Sequence, residues 1–211
     1  MAAYSPLSEA AERNKLPILE VIRDHFPEHG NILEIGSGTG QHAVFFASQM
    51  LDIFWQTSDL ACNHAWIKQN LAQAGCRNAG GPFELDVGID QHWSRIDMPT
   101  GRYDGVFSCN TAHIMPWNRV VDMFKGVSRV LAPLRKFLIY GPFNQDGEYT
   151  SVSNASFDRY LKSQNPEQGI RDDQEVYRLA ESCNLDFQKS IDMPANNRIL
   201  VFSRASKDFE P

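Results

Sequence analysis

Residues 33–41 read LEIGSGTGQ, an apolar run followed by glycines at alternate positions, Gly36, Gly38 and Gly40. Glycine admits backbone angles that other residues resist, and its bare Cα lets a ligand approach the main chain. A plain tight turn needs only one such residue, and each further glycine costs unfolded-state entropy. The triplet therefore reads as a ligand-binding turn. A dinucleotide fingerprint, G-x-G-x-x-G, would require glycine at position 41, which is Gln41. The spacing here is G-x-G-x-G, with Glu34 two residues ahead of Gly36 and Ser37 inside the turn. A carboxylate in that place suits a cation better than a pyrophosphate. S-adenosylmethionine carries an ammonium and a sulfonium, so the turn favours it over NAD.

Further residues stand where a nucleoside would use them. Asp59 is placed to reach both hydroxyls of an adenosyl ribose, or equally to cap the helix that follows. Asp86 offers an acceptor to an adenine amino group with Val87 as an apolar wall, although an ordinary loop acid reads the same way. Arg13 is a candidate partner for the cofactor's carboxylate. Methyl transfer from an activated sulfonium needs no covalent protein nucleophile, only in-line positioning and, for some acceptors, removal of a proton. His113, in NTAHIMPW, is a candidate base or else a structural histidine, and Tyr149 is a second candidate. Tyr140, Asn144, Tyr149 and Asn154, on or beside GPFNQDGEYTSVSN, form a candidate substrate pocket with Asn196 of MPANN. The competing reading makes that loop a turn-rich connection and the asparagines turn residues. Arg171 is expected to be solvated, the alternative being that it binds an acidic substrate. No metal site is expected: His25 and His29 are four apart, but Pro27 and Gly30 break the helix that would align them.

These residues need elements to hold them. Short β-type runs at 31–35, 53–59, 83–87, 103–110 and 136–141 alternate with helical patterns at 41–50, 62–75 and 118–131. That alternation implies parallel strands joined by right-handed crossovers. At the C-terminal end, 185–192 and 198–204 are β runs separated only by turn residues, which predicts an antiparallel hairpin. Strand–helix units closed by such a hairpin are the methyltransferase variant of the doubly wound sheet. At the N-terminal end, Asn14 is expected to cap a helix that buries Ile18, Val21, Ile22 and Phe26, with Pro17 in its first turn. Residues 141–154 and 4–14, both polar and turn-rich, read as a lid over the reacting methyl group. Residues 205–211 read as a frayed tail.

The totals narrow the class. The formal charge is −6 with a sequence pI near 5.5, which argues against a nucleic-acid backbone as the main partner. The longest apolar runs fall far short of a membrane span of about 20 residues. No secretory signal is visible, and Cys62, Cys76, Cys109 and Cys183 include no C-x-x-C pair. Reduced thiols and a cytoplasmic location are the expectation.

The stretches YSPLSEAAERNKLPIL, LEIGSGTGQHAVFFA, YGPFNQDGEYTSVSN and DMPANNRILVF closely resemble the methyltransferase-like 26 family, within the class I S-adenosylmethionine-dependent methyltransferase superfamily. The resemblance runs from Tyr4 to about Arg204. It implies an α/β fold, a doubly wound seven-stranded mixed sheet (the Rossmann-like methyltransferase fold) with a C-terminal antiparallel hairpin, as one domain over 1–211. It also implies S-adenosylmethionine as cofactor. Glu34, Gly36, Gly38 and Gly40 would hold its methionyl end, Asp59 the ribose and Asp86 the adenine side, with Asn110 beside the methyl region. In one departure, Leu134 and Arg135 stand where methyltransferases often turn with paired glycines before the fifth strand. The expected activity is methyl transfer to a small-molecule acceptor. A non-catalytic cofactor-binding or sensing module, or a protein side-chain methyltransferase, is the alternative. CNTAHI lacks the Asn/Asp-Pro-Pro-aromatic run of nucleobase methyltransferases, which argues against base methylation.

Overall fold

The computed structural model describes residues 8–96 and 102–206. In chain order the helices are α1 (Glu9–His25), α2 (Gln41–Gln49), α3 (His64–Ala74), α4 (Asp90–Ile96), α5 (Trp117–Val130), α6 (Val152–Gln164) and α7 (Asp173–Ser182). The strands are β1 (Gly30–Ile35), β2 (Ile53–Asp59), β3 (Ala79–Glu84), β4 (Tyr103–Cys109), β5 (Leu131–Gly141), β6 (Phe143–Asn144), β7 (Arg171–Asp172), β8 (Leu185–Met193) and β9 (Asn197–Arg204). Seven of them make one mixed sheet in the order β3-β2-β1-β4-β5-β9-β8, the Rossmann-like methyltransferase arrangement expected from the sequence. Among the described residues no helix is long and apolar enough to cross a membrane. The chain forms two compact units, one through Ser108 and one from Cys109 onward.

In the first unit β1 is flanked in parallel by β2 and β4, with Glu34 opposite both Thr57 and Phe107. Both faces of β1 are covered, so from Ile32 to Ile35 the strand is buried at every residue, as a central parallel strand must be. Phe46, Trp55 and Phe107 pack as an aromatic cluster, with centroids 5.2–6.0 Å apart.

Several boundaries differ from the sequence expectation. Helix α1 begins at Glu9, capped by Ser8, whose Oγ accepts from the Ala11 amide at 3.3 Å. The run EAAER is strongly helix-forming and carries the helix past Asn14, which becomes a buried interior residue 2.8 Å from His42 Nε2. Pro17 is then inside the helix and not in its first turn. Strand β3 ends at Glu84, short of the expected 87, because Asp86 turns the chain: its Oδ1 accepts from the Gly88 amide at 3.0 Å. Residues 4–7 of the expected lid and residues 207–211 of the tail lie outside the described residues, and residues 9–14 are helix.

In the second unit β5 and β9 pair antiparallel, with Phe137 opposite Phe202, and β8 and β9 form the expected hairpin. Its turn carries Ala195 and Asn196 at φ near +60°, the left-handed turn chemistry read from MPANN. Phe124, Phe137 and Phe202 form the core, with centroids 5.2–6.0 Å apart. Helix α6 has no counterpart in the sequence expectation. Ser151 caps it, accepting from the Asn154 amide at 3.1 Å, so the tail of the expected loop is its first turn.

Strand β5 starts five residues earlier than expected, and the departure at 134–135 falls within it. Leu134 stands at φ +64° and is 65% exposed, a left-handed leucine where a glycine would fit without strain. Leu134→Gly should therefore stabilise the chain by about 0.5–1 kcal/mol, the relief of roughly 1–2 kcal/mol being partly offset by glycine's unfolded-state entropy. Chemical denaturation would measure it, and a less stable variant would contradict the argument.

Candidate functional site

In the first unit the glycine turn is built by main-chain and side-chain bonds from β2. The Ser58 carbonyl accepts from the Gly36 and Ser37 amides, each at 3.0 Å, and Ser58 Oγ donates to the Glu34 carbonyl at 2.7 Å. Asp59 Oδ2 accepts from the Gly38 amide at 2.6 Å. All three glycines have positive φ, at 75°, 59° and 81°. Their surroundings differ. A Cβ on Gly40 would only touch Ile67, at 3.4 Å from its Cα, so at this position the left-handed φ is the reason for glycine. A Cβ on Gly38 would meet nothing within 4 Å, so here the turn is open.

Beneath the turn lies Glu34, 1% exposed. Its Oε2 accepts from Trp55 Nε1 at 3.2 Å. Burial pushes its carboxyl up to about 7, against the opposing hydrogen bonds of Trp55 and Ser37. Asp59 is buried too, and besides Gly38 it accepts from the Leu60 amide at 2.7 Å and Asn63 Nδ2 at 2.9 Å, both on Oδ1. It is thus a turn clamp and a cap together. Asp86 and Val87 are fixed by the start of α4: the Asp86 amide donates to His92 Nδ1 at 3.0 Å and Trp93 Nε1 donates to the Val87 carbonyl at 2.9 Å. Arg13 is 71% exposed along its side chain and pairs with Glu9 one helical turn back.

In the second unit Asn110 has φ +58°, and its amide donates to the Tyr140 carbonyl at 2.8 Å. His113 is 5% exposed and lies edge-on to Phe157. Burial, and then the Arg171 charge, lower its imidazole to about 4. A group held that low accepts a proton poorly at neutral pH, where general bases work best near 7. Tyr149 donates its phenol to Asp158 Oδ2 at 2.7 Å, and that carboxylate raises the phenol further from ionisation. Asn154 Nδ2 donates to the Asn196 carbonyl at 3.0 Å, and Asn196 Nδ2 to Ser153 Oγ at 3.3 Å. These two predicted pocket residues do meet. Asn144 instead pairs with Asp172 in the short β6–β7 ladder, and Tyr140 is buried.

Two organising residues of this unit escape a reading of the sequence alone. Asp158, 1% exposed, gathers Tyr149, Lys162 and the Ile170 amide on one carboxylate. The i,i+4 spacing to Lys162 is visible in the sequence, but the burial is not. Arg171 is half-buried: its guanidinium donates to the carbonyls of Ala112, Met115 and Glu167 and so fixes the loop around His113.

Solved structures share this fold. An O-methyltransferase family protein from Burkholderia thailandensis superposes with a TM-score of 0.78 at 13% identity, over 95% of this chain and 59% of its own. Human N-acetylserotonin methyltransferase in complex with SAM gives 0.76 at 15%, over 94% and 53%. An O-methyltransferase family 2 protein from Planctomyces limnophilus in complex with apigenin gives 0.72 at 12%, over 90% and 62%. This chain thus spans between half and two thirds of the length of the proteins it resembles, and at these identities the likeness concerns the fold. A family profile described as "Protein of unknown function (DUF938)" matches residues 5–204, nearly the whole sequence, and the chain belongs to that family.

Proposed function

We propose that this chain is an S-adenosylmethionine-dependent methyltransferase acting on a small-molecule acceptor, as its resemblance to the methyltransferase-like 26 family also implies. The observation that carries this reading is the turn after β1. A buried acid ends the strand, left-handed glycines follow, and the turn is open at Gly38 and clamped by Asp59. The residues fit the group: Glu34 lies buried and is answered by no hydrogen-bonded cation among the described residues, which suits a ligand carrying positive charge. When bound, the cofactor would supply an activated methyl group. Glu34 and the glycine turn would hold its methionyl end, and Asp59 its ribose. A carboxylate offers about four lone-pair sites, and Gly38, Leu60 and Asn63 take three of those on Asp59. The ribose would then gain one direct bond unless Leu60 or Asn63 yields. The fold neighbours, among them one in complex with SAM and one with apigenin, support a small-molecule acceptor.

Calorimetry tests the reading directly. S-adenosylmethionine or S-adenosylhomocysteine should bind and NAD should not, and Gly38→Val should abolish binding by placing a branched side chain in the open face of the turn. Tight NAD binding without S-adenosylmethionine binding would overturn it.

Asp59→Ala should weaken cofactor binding about tenfold to a hundredfold, the loss of charge-assisted bonds of about 1.5–3 kcal/mol. The variant also frees the Gly38 amide, so its unfolding transition is measured alongside. An unchanged dissociation constant would leave Asp59 as a clamp and cap alone.

Glu34 gives the binding a pH dependence. Its carboxyl sits at about 7 in the free chain, and a cation bound against it favours the ionised form, so binding expels the proton. Affinity should rise from pH 6 to pH 8, by up to about tenfold per pH unit below 7. Glu34→Gln should flatten the profile. A flat wild-type profile would separate Glu34 from the ligand.

A further inference from the structure

Gln41 stands where a dinucleotide turn would require glycine, and its side chain bridges the glycine turn and α1. Its Oε1 accepts from Thr39 Oγ1, inside the turn, at 3.2 Å and from the Ser8 amide at 2.6 Å. Its Nε2 donates to Glu12 Oε1 at 3.1 Å. One carboxamide thus ties the turn to the start of α1.

The sequence of α1 leaves room for that tie. In a capping box the N-cap hydroxyl takes the N3 amide, and a Glu or Gln at N3 reaches back to the N-cap amide. Ser8 performs the first half on the Ala11 amide. Position N3 is Ala11 itself, which has no side-chain acceptor to return, and the Ser8 amide goes to Gln41 instead. The box is completed from α2.

The two halves of α1 are held by different forces. Ile18, Leu19 and Ile22 are at most 3% exposed and anchor the second half in the core. The first half is tied to α2 by polar groups. Ser8 and Glu12 meet Gln41, Asn14 Oδ1 lies 2.8 Å from His42 Nε2, and the Lys15 ammonium stands 5.0 Å from the Phe45 ring centroid. Between the halves, Pro17 brings no amide to the Arg13 carbonyl, so the helical ladder misses a bond at the joint. A segment held mainly by exposed hydrogen bonds opens at lower free energy than a packed one.

We infer that Gln41 is a positioning residue of the cofactor site. It couples the order of residues 8–16 to the glycine turn, so that a cofactor in the turn and a docked first half of α1 favour each other. The inference rests on the methyltransferase reading, because the ligand is the one proposed for that turn. Linkage makes the coupling reciprocal: docking raises cofactor affinity by the factor by which the cofactor favours docking.

S-adenosylhomocysteine is the probe, with calorimetry for affinity and NMR hydrogen exchange at the Ser8, Ala11 and Glu12 amides, each compared with Ile22 further along the helix. In the wild-type chain a saturating probe should slow exchange at these three about fivefold relative to Ile22, the low end of ordinary couplings. Gln41→Ala should weaken the probe by a similar factor and abolish the slowing. Gln41→Glu sets a second carboxylate against Glu12 and should do the same. Adding Glu12→Gln returns a donor to the pair and should restore both affinity and slowing. Slowing that survives in saturated Gln41→Ala would reduce Gln41 to a helix stabiliser or a direct ligand contact, and it overturns the inference. So does a double variant that rescues neither quantity. If the probe binds the wild type without slowing exchange in α1, or binds Gln41→Ala unchanged, the inference falls and the methyltransferase reading stands. If the probe does not bind the wild type, both fall.

Discussion

A carboxyl group with 1% exposure at the end of the central strand is the constraint around which the first unit is arranged. Ionised, Glu34 needs donors or a cation, and neutral, it needs a proton. The chain supplies two neutral donors, the Trp55 indole and the Ser37 hydroxyl, and these leave the carboxyl at about 7 against 4.5 for an ordinary glutamate. The folded state therefore binds the proton more tightly than the unfolded one. Glu34's contribution to stability is fully present below pH 4.5 and is lost as pH rises through about 7, a swing of about 3 kcal/mol. That is a large fraction of a typical net stability of about 5–15 kcal/mol. A glutamine could hold the same place without the swing, so the acid makes physical sense if a cation comes to it.

The first unit is largely legible in the sequence. Sequence pattern locates β1, β2, α2 and α3 to within a residue or two, the helices by the spacing of their buried residues and the strands as short runs buried almost throughout. The glycine triplet is legible for a different reason: positive φ leaves a compositional mark. What fails there fails at ends. Ser8 outranks Asn14 as a cap because a strong helix-forming run follows it, and Asp86 ends β3 through a side-chain bond to Gly88 that no hydrophobic pattern records. Leu134 is the converse case, a left-handed residue whose type hides its conformation.

In the second unit α5, β8 and β9 are again visible in the sequence, whereas α6 and the loops are not. The segment 110–116 is set in place by Arg171, which lies more than fifty residues later in the chain, and by the Gly169 amide bonded to the His113 carbonyl at 3.0 Å. The 149–170 region is gathered by Asp158 in the same way. Bonds of this kind follow no hydrophobic period, so a reading built on repeats finds the organising role of neither residue. The asparagines of the hairpin turn can be read two ways, as turn residues and as pocket residues. The turn reading is seen in Asn196, which is left-handed, whereas Asn197 is extended at φ −95°.

This organisation bears on how chemistry would proceed under the proposed function. The two candidate bases are both held away from that role, His113 by burial to about 4 and Tyr149 by donating its proton to Asp158. Lowering an imidazole that far gives up most of its capacity to take a proton at neutral pH. What the second unit does offer is fixed geometry: a loop braced at three carbonyls by Arg171, and a phenol tethered to a buried carboxylate. Holding two reactants in a productive arrangement is worth as much as about 7–11 kcal/mol in favourable cases, against about 10²–10⁴-fold for a well-placed general base. With an activated methyl donor, positioning therefore outweighs proton removal. Under the proposed function, the acceptor expected is an atom already nucleophilic at neutral pH, one needing no proton removed in the reacting step.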